Sequence, residues 1–177
     1  MANTIEPGGF VTIDHGAYSN GDPVRGDIVM FVPPLIALMP NQLDDQGRPA
    51  VKFLKRVVGV PGDTIEIKKS VLFINGEKYP EPYLKEPTAG DFKLVLYKGN
   101  IWPLMISGDH VNAAPQLTAT PFQLSDDETM QKLLKLPLAK IPAGQYLLMG
   151  DNRQDSFDGR AYGLVDRSAI LGKAMLR

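Results

Sequence analysis

Short apolar runs, punctuated by glycine and proline, recur along the chain. FVTIDH (10–15), GDIVMFV (26–32), KFLKRVVGV (52–60), DTIEIKK (63–69), VLFING (71–76) and QYLLMGD (145–151) each have strand length, and several alternate apolar with polar positions. That pattern predicts a mostly β fold. SVLFINGEKY predicts a hairpin, because Asn75-Gly76 suits a two-residue turn. One segment has helical spacing. Ser125 is placed to cap it, Glu128 stands three residues on as in a capping box, and Met130, Leu133 and Leu134 of DETMQKLLKL share a face until Pro137 ends it. The stretch from Pro80 to Pro142 is less regular than its flanks and carries this helix and the only tryptophan. The expected organisation is a β core from residues 1–79 and 142–177, with 80–141 inserted as a second lobe.

Within KFLKRVVGVPGD (52–63), a lysine interrupts an apolar strand. Alternate residues of a strand share a face, so Phe53, Lys55 and Val57 point one way and Lys52, Leu54, Arg56 and Val58 the other. Arg56 is expected to reach solvent along its own face. Three fates are open to the Lys55 ammonium: it snorkels to water, pairs with an acid, or stays partly dry. The first is the ordinary behaviour of a lysine near a strand end. The last would lower its pKa and make it a general base.

Composition narrows the chemistry. The 177 residues are 44% apolar and 22% charged, the balance of a globular chain with a real core, and the net charge of −1 encodes no broad attraction to nucleic acid. The chain has no cysteine, which excludes disulfides, thiol catalysis and thiolate metal sites. Its two histidines, His15 and His110, lie far apart in sequence, so acid–base work falls to lysine or carboxylates. The longest apolar run, FVPPLIALM (31–39), is broken by two prolines and is shorter than the roughly 18 residues of a membrane span.

A second dense stretch is MGDNRQDSFDGRAYG (149–163), where Asp151, Arg153, Asp158 and Arg160 alternate in sign around Ser156. It is expected to fold on itself through Arg–carboxylate pairs into a rigid polar platform. A calcium loop is excluded, because Arg153 occupies the third ligand position and no glutamate stands at the twelfth. No metal or other cofactor is expected.

GDIVMF (26–31), KRVVGVPGD (55–63) and GDNRQDSFDGRAYG (150–163) together resemble three sequence boxes of type I signal peptidases, in the family's order. VLFINGEKY and ILGKA extend the likeness to about half the chain. The resemblance implies a signal-peptidase-like β fold and a serine–lysine endopeptidase that removes signal peptides from exported precursors. It makes Lys55 the general base and Ser156 the group that orients its amine. Asp151, Arg153, Asp158 and Arg160 become the scaffold of the loop. The partners implied are signal peptides with small residues before the cleavage site, and a membrane surface. The implied location is the outer face of a bacterial cytoplasmic membrane, with anchoring by an N-terminal span that this chain, read as a fragment, lacks.

The nucleophile box departs from the family pattern of serine, methionine, any residue, proline. The match is Asn3-Thr4-Ile5-Glu6-Pro7, which puts Thr4 at the serine position. Threonine keeps the hydroxyl but adds a methyl and a stiff χ1. Three readings follow: a working variant or close relative, a non-catalytic relative that binds secretory or pilus segments, and, more distantly, a self-cleaving repressor-type protease. The last would bring a DNA-binding domain, for which the sequence shows no sign. In the peptidase reading, Phe31, Leu35, Ile36 and Trp102 are expected to form an apolar rim facing substrate or membrane.

Overall fold

The computed structural model describes residues 1–6, 8–108, 110–113 and 127–176, so Pro7 and the capping Ser125 named above lie outside the described residues. In chain order the strands are β1 (Thr12–Asp14), β2 (Ile28–Phe31), β3 (Phe53–Gly59), β4 (Ile65–Lys68), β5 (Val71–Ile74), β6 (Glu77–Lys78), β7 (Asp91–Tyr97), β8 (Asn100–Ser107) and β9 (His110–Ala113). Helix α1 (Asp127–Lys135), β10 (Gln145–Met149), the one-turn helix α2 (Gly159–Tyr162), β11 (Val165–Asp166) and β12 (Ile170–Met175) complete the described chain. The fold is mostly β. Its strands form two six-stranded antiparallel sheets, ordered β1-β12-β2-β3-β10-β11 and β6-β5-β4-β7-β8-β9.

All six apolar runs read from the sequence contain strands. The predicted hairpin joins β5 to β6, with Asn75 (φ 54°) and Gly76 (φ 82°) both in the left-handed region that a tight two-residue turn requires. Lys98 (φ 48°) and Gly99 (φ 79°) make the same kind of turn between β7 and β8. That hairpin, with β9 beside it, replaces the irregular structure expected after Pro80. Pro103 hid it, because proline argues against an interior strand. In the described chain β9 pairs with β8 from Leu104 onward, leaving Pro103 at the end of that ladder.

The sheets pack face to face. Val58 of β3 and Leu147 and Met149 of β10 are buried against Ile65, Ile67, Leu72, Phe92 and Leu94 of the second sheet. Burying each side chain of this size contributes about 1.5–3 kcal/mol. β4 pairs with β7 through Glu66↔Lys93 and Ile67↔Phe92, so the second sheet is built from both sides of residue 80. The other face of the first sheet carries Val29, Phe31, Val57, Tyr146, Leu148 and Tyr162. Helix α1 lays Leu133 on Val95, Trp102 and Leu104, with Met130 and Leu134 beside it, as its spacing predicts. The Lys93 amine donates to the Leu134 and Leu136 carbonyls at its C-terminal end (2.7 and 3.2 Å).

β3 is therefore fixed on both edges, by β2 and β10, and on the second-sheet side by packed side chains. Gly59 at its end leaves no room: a Cβ there would stand 2.5 Å from Ile141 Cδ1 and about 3 Å from Ile65. Gly59→Ala is expected to destabilise the protein by about 1–3 kcal/mol through overpacking. A melting temperature equal to the parent's would show that the two sheets are not packed this tightly.

Candidate active site

Strand β3 carries Lys55 opposite Val29 of β2, on the same face as Phe53 and Val57. Its amine donates to Ser156 Oγ at 2.8 Å. Burial pushes the amine below the ordinary lysine value. Asp158 is the largest opposing influence, and Arg160 reinforces the fall. Among the described residues Lys55 has no ion-pair partner, so of the three fates the partly dry one is realised.

Gly150 follows β10 and passes directly beneath this pair. A Cβ on it would overlap Ser156 Oγ and come within 3.3 Å of Lys55 Nζ. Its peptide groups are held from both sides. The Gly150 N–H donates to Asp158 Oδ2 (3.0 Å), and its carbonyl accepts from Arg153 Nε (3.0 Å). Asp158 is fully buried. It also accepts Arg160 Nε (2.9 Å), Arg160 Nη2 (3.0 Å) and the Arg160 peptide N–H (3.1 Å), which makes it the N-cap of α2. Burial alone would raise the carboxyl's pKa. The hydrogen bonds from Arg160 and the peptide donors outweigh burial and hold it below the ordinary aspartate value. The stability it contributes is present above the ordinary aspartate pKa and is lost as pH falls through the lower folded value.

The four alternating charges do not close on one another as expected. Only Asp158 and Arg160 pair within the loop. Asp151 instead takes a bidentate contact from Arg56, Nε to Oδ1 at 2.8 Å and Nη2 to Oδ2 at 2.6 Å. Arg56, expected to reach solvent, turns onto this partner instead and is partly buried, with its guanidinium 4.0 Å over the Tyr83 ring and Nη1 donating to the Gly26 carbonyl (2.7 Å). Arg153 extends away from the loop to grip Glu81 with both terminal nitrogens, and donates to Thr88 Oγ1 at 3.0 Å. The loop is fastened outward because its neighbours supply the counter-charges.

Thr4 stands at the same site but faces a different group. Its hydroxyl donates to Asp151 Oδ2, and Asn3 Nδ2 donates to the Asp151 carbonyl (2.9 Å). The N-terminal segment is thus docked through Asp151, and Thr4 is not hydrogen-bonded to Lys55. Of the apolar rim, Leu35 is 55% exposed and Ile36 is half-buried against the first sheet. Phe31 and Trp102 are buried core residues on different clusters, so the four do not form one surface. Phe157, beside Ser156, is an exposed aromatic that the sequence reading did not single out. Glu81, Tyr83 and Thr88 were also missed, and their one sequence signal is the acid–aromatic pair in EPY (81–83). Among the described residues, no helix is long and apolar enough to cross a membrane, and no group of three or more His, Cys, Asp or Glu side chains is arranged to hold a metal ion.

The chain as a whole is similar to known proteins. The family described as signal peptidase, peptidase S26, matches residues 1–177. Signal peptidase IB of Staphylococcus aureus is 33% identical over 182 aligned positions, spanning all of this chain and 72% of that protein. A probable signal peptidase I-2 of Synechocystis sp. is 27% identical, over all of this chain and 58% of that protein. A solved signal peptidase I from Enterococcus faecalis is 27% identical, with a TM-score of 0.46 over 86% of this chain and 96% of that one. The chain belongs to the S26 signal peptidase family.

Asp158 is the point on which the loop's geometry turns. Asp158→Ala leaves Arg160 buried without its carboxylate and frees the Gly150 N–H, at an expected cost of about 3–5 kcal/mol. Denaturant unfolding measures this; an unchanged midpoint and slope would remove Asp158 from the scaffold.

Proposed function

We propose that this chain is a membrane-associated endopeptidase of signal peptidase I type, in which a neutral Lys55 serves the hydroxyl at position 4. The observation that carries this reading is the Lys55–Ser156 contact of 2.8 Å, made by an amine that burial holds below its ordinary pKa. A lysine at its ordinary value of about 10.4 is almost wholly protonated at neutral pH and accepts no proton. Burial of Lys55 lessens that handicap, and Ser156 orients its amine.

A substrate segment with small residues before the cleaved bond would lie extended beside residues 3–7, held largely by main-chain hydrogen bonds. The Thr4 hydroxyl attacks the scissile carbonyl carbon while its proton passes to Lys55 Nζ. Collapse of the tetrahedral adduct breaks the C–N bond, and the Lys55 ammonium returns the proton to the departing amine. Water, deprotonated by the same amine, then cleaves the ester on Thr4. Asp151, Arg153, Asp158 and Arg160 take no proton in this scheme and hold the loop. The substrates are signal peptides of exported precursors, at the outer face of a bacterial cytoplasmic membrane. Of the expected rim, the 55% exposed Leu35 is the side chain that would meet an apolar phase.

A second reading has its own observation. Thr4 gives its hydroxyl to Asp151 rather than to Lys55, as suits a relative that binds such segments without cutting them. For the catalytic reading Thr4 must turn about a stiff χ1 and seat a methyl near the attacked carbon. Misplacement by an ångström costs on the order of a hundredfold in rate, so cleavage of an Ala-x-Ala peptide by the chain as it stands is expected to be slow.

Peptide cleavage assays separate the two. Thr4→Ser is expected to raise the rate and Lys55→Met to abolish it. The rate should climb with pH as Lys55 loses its proton, with a midpoint below the roughly 10.4 of free lysine. Binding without cleavage by Thr4→Ser would establish the non-catalytic reading, and cleavage that survives Lys55→Met would mean a different base.

A further inference from the structure

The segment between the β5–β6 hairpin and β7 contributes two side chains to the site from outside every motif discussed above. Glu81 is 7% exposed in its side chain, and its partner Arg153 is fully buried. The Glu81 carboxylate takes both terminal nitrogens of Arg153 and also the Tyr83 hydroxyl, at 2.8 Å. Arg153 has no freedom left: Nη1 also reaches Thr88, and Nε ends on the Gly150 carbonyl. Gly150 is the residue whose backbone abuts both Ser156 Oγ and Lys55 Nζ. A continuous chain of contacts therefore runs from Glu81 to the polar pair. Tyr83 ties the same segment to the other arm of the site, through the face of its ring on Arg56, which holds Asp151.

We propose that Glu81 is a positioning residue for the Lys55–Ser156 pair, acting through the Arg153 fork on the Gly150 peptide, with Tyr83 holding Glu81 in place. The proposal rests on the reading of Lys55 as the general base. Its physical content is that a buried guanidinium pointed at a carbonyl stays there only while its charge is matched. Without the Glu81 carboxylate, Arg153 swings toward water, the Gly150 peptide loses its donor, and solvent enters beneath Lys55. The charges acting most strongly on Lys55 are Asp158, Arg160, Asp151 and Asp155 of the 150–163 loop, and the Met1 amino group also lies within electrostatic reach. Glu81 is not among the strongest, so its removal acts on Lys55 mainly by hydration. Hydration favours the ammonium, and the Lys55 midpoint moves up.

The test reads Lys55 without requiring turnover. The chain is treated with limiting acetic anhydride across a pH series, and acetylation at Lys55 is followed by peptide mass spectrometry. The midpoint of that profile, rather than its height, is the readout, because easier access alone raises the height. In the parent the midpoint falls below that of ordinary lysine. In Glu81→Gln it shifts upward toward the ordinary value, and in Tyr83→Phe, which loses only the hydroxyl on Glu81, it shifts the same way by less. Should Glu81→Gln fail to fold, Tyr83→Phe decides alone. Lowered melting temperatures with unmoved midpoints would make the segment a structural brace only and overturn the proposal. An ordinary midpoint in the parent would instead bring down the general-base reading itself, and this proposal with it.

Discussion

A lysine amine kept half-dry, with a hydroxyl as its partner and, among the described residues, no carboxylate paired to it, is the condition to which the rest of the structure answers. An ammonium in that position loses hydration that nothing nearby fully restores, so the neutral form gains ground. The counter-charge that acts on it most strongly, Asp158, is engaged by Arg160 and by two peptide N–H groups. Its hydrogen-bonding capacity is spent on holding the loop, which leaves Lys55 to Ser156. If Asp158 turned to Lys55 instead, the ion pair would favour the protonated amine.

Rigidity around that amine comes from sheet packing. β3 has strands on both edges, and its Val58 side is sealed by the second sheet, so Lys55 cannot relax by moving its backbone. The site's remaining walls are polar and are pinned by three pairs of opposite charge, Arg56–Asp151, Arg153–Glu81 and Arg160–Asp158. Buried pairs of this kind add little net stability against an apolar replacement, yet breaking one is costly. Their use here is directional: each guanidinium fork also delivers a hydrogen bond to a backbone carbonyl, at Gly26, Gly150 and Arg153 respectively. Charge pairing is thereby converted into backbone position.

Local patterns carried much of this. Alternation placed Lys55 on a face with Phe53 and Val57, the Asn75-Gly76 turn appears where it was read, and the α1 face is the one its spacing implies. The motif likeness singled out Lys55 and Ser156, which the fold brings to hydrogen-bonding distance across 101 residues of chain. What stayed hidden has a common cause. Arg56 meets Asp151 across 95 residues and Arg153 meets Glu81 across 72, and an ion pair of such separation leaves no periodic trace in either segment. Sign alternation within 151–160 suggested internal pairing because local partners are the ones a sequence displays. The β7–β8 hairpin was concealed by a single proline, and Phe31 and Trp102 were placed at a rim because apolar character alone does not separate core from surface.

The most direct test is the protonation of Lys55 itself, measured by NMR on the chain as it stands. Its lysine amines would be 13C-methylated and titrated, with the Lys55 signal assigned by its absence from Lys55→Arg. The structure predicts that this resonance titrates below the ordinary lysine value, since burial is the dominant influence on it, as burial also lowers Lys93. A Lys55 signal that titrates at the ordinary lysine value of about 10.4 would contradict the account at its centre.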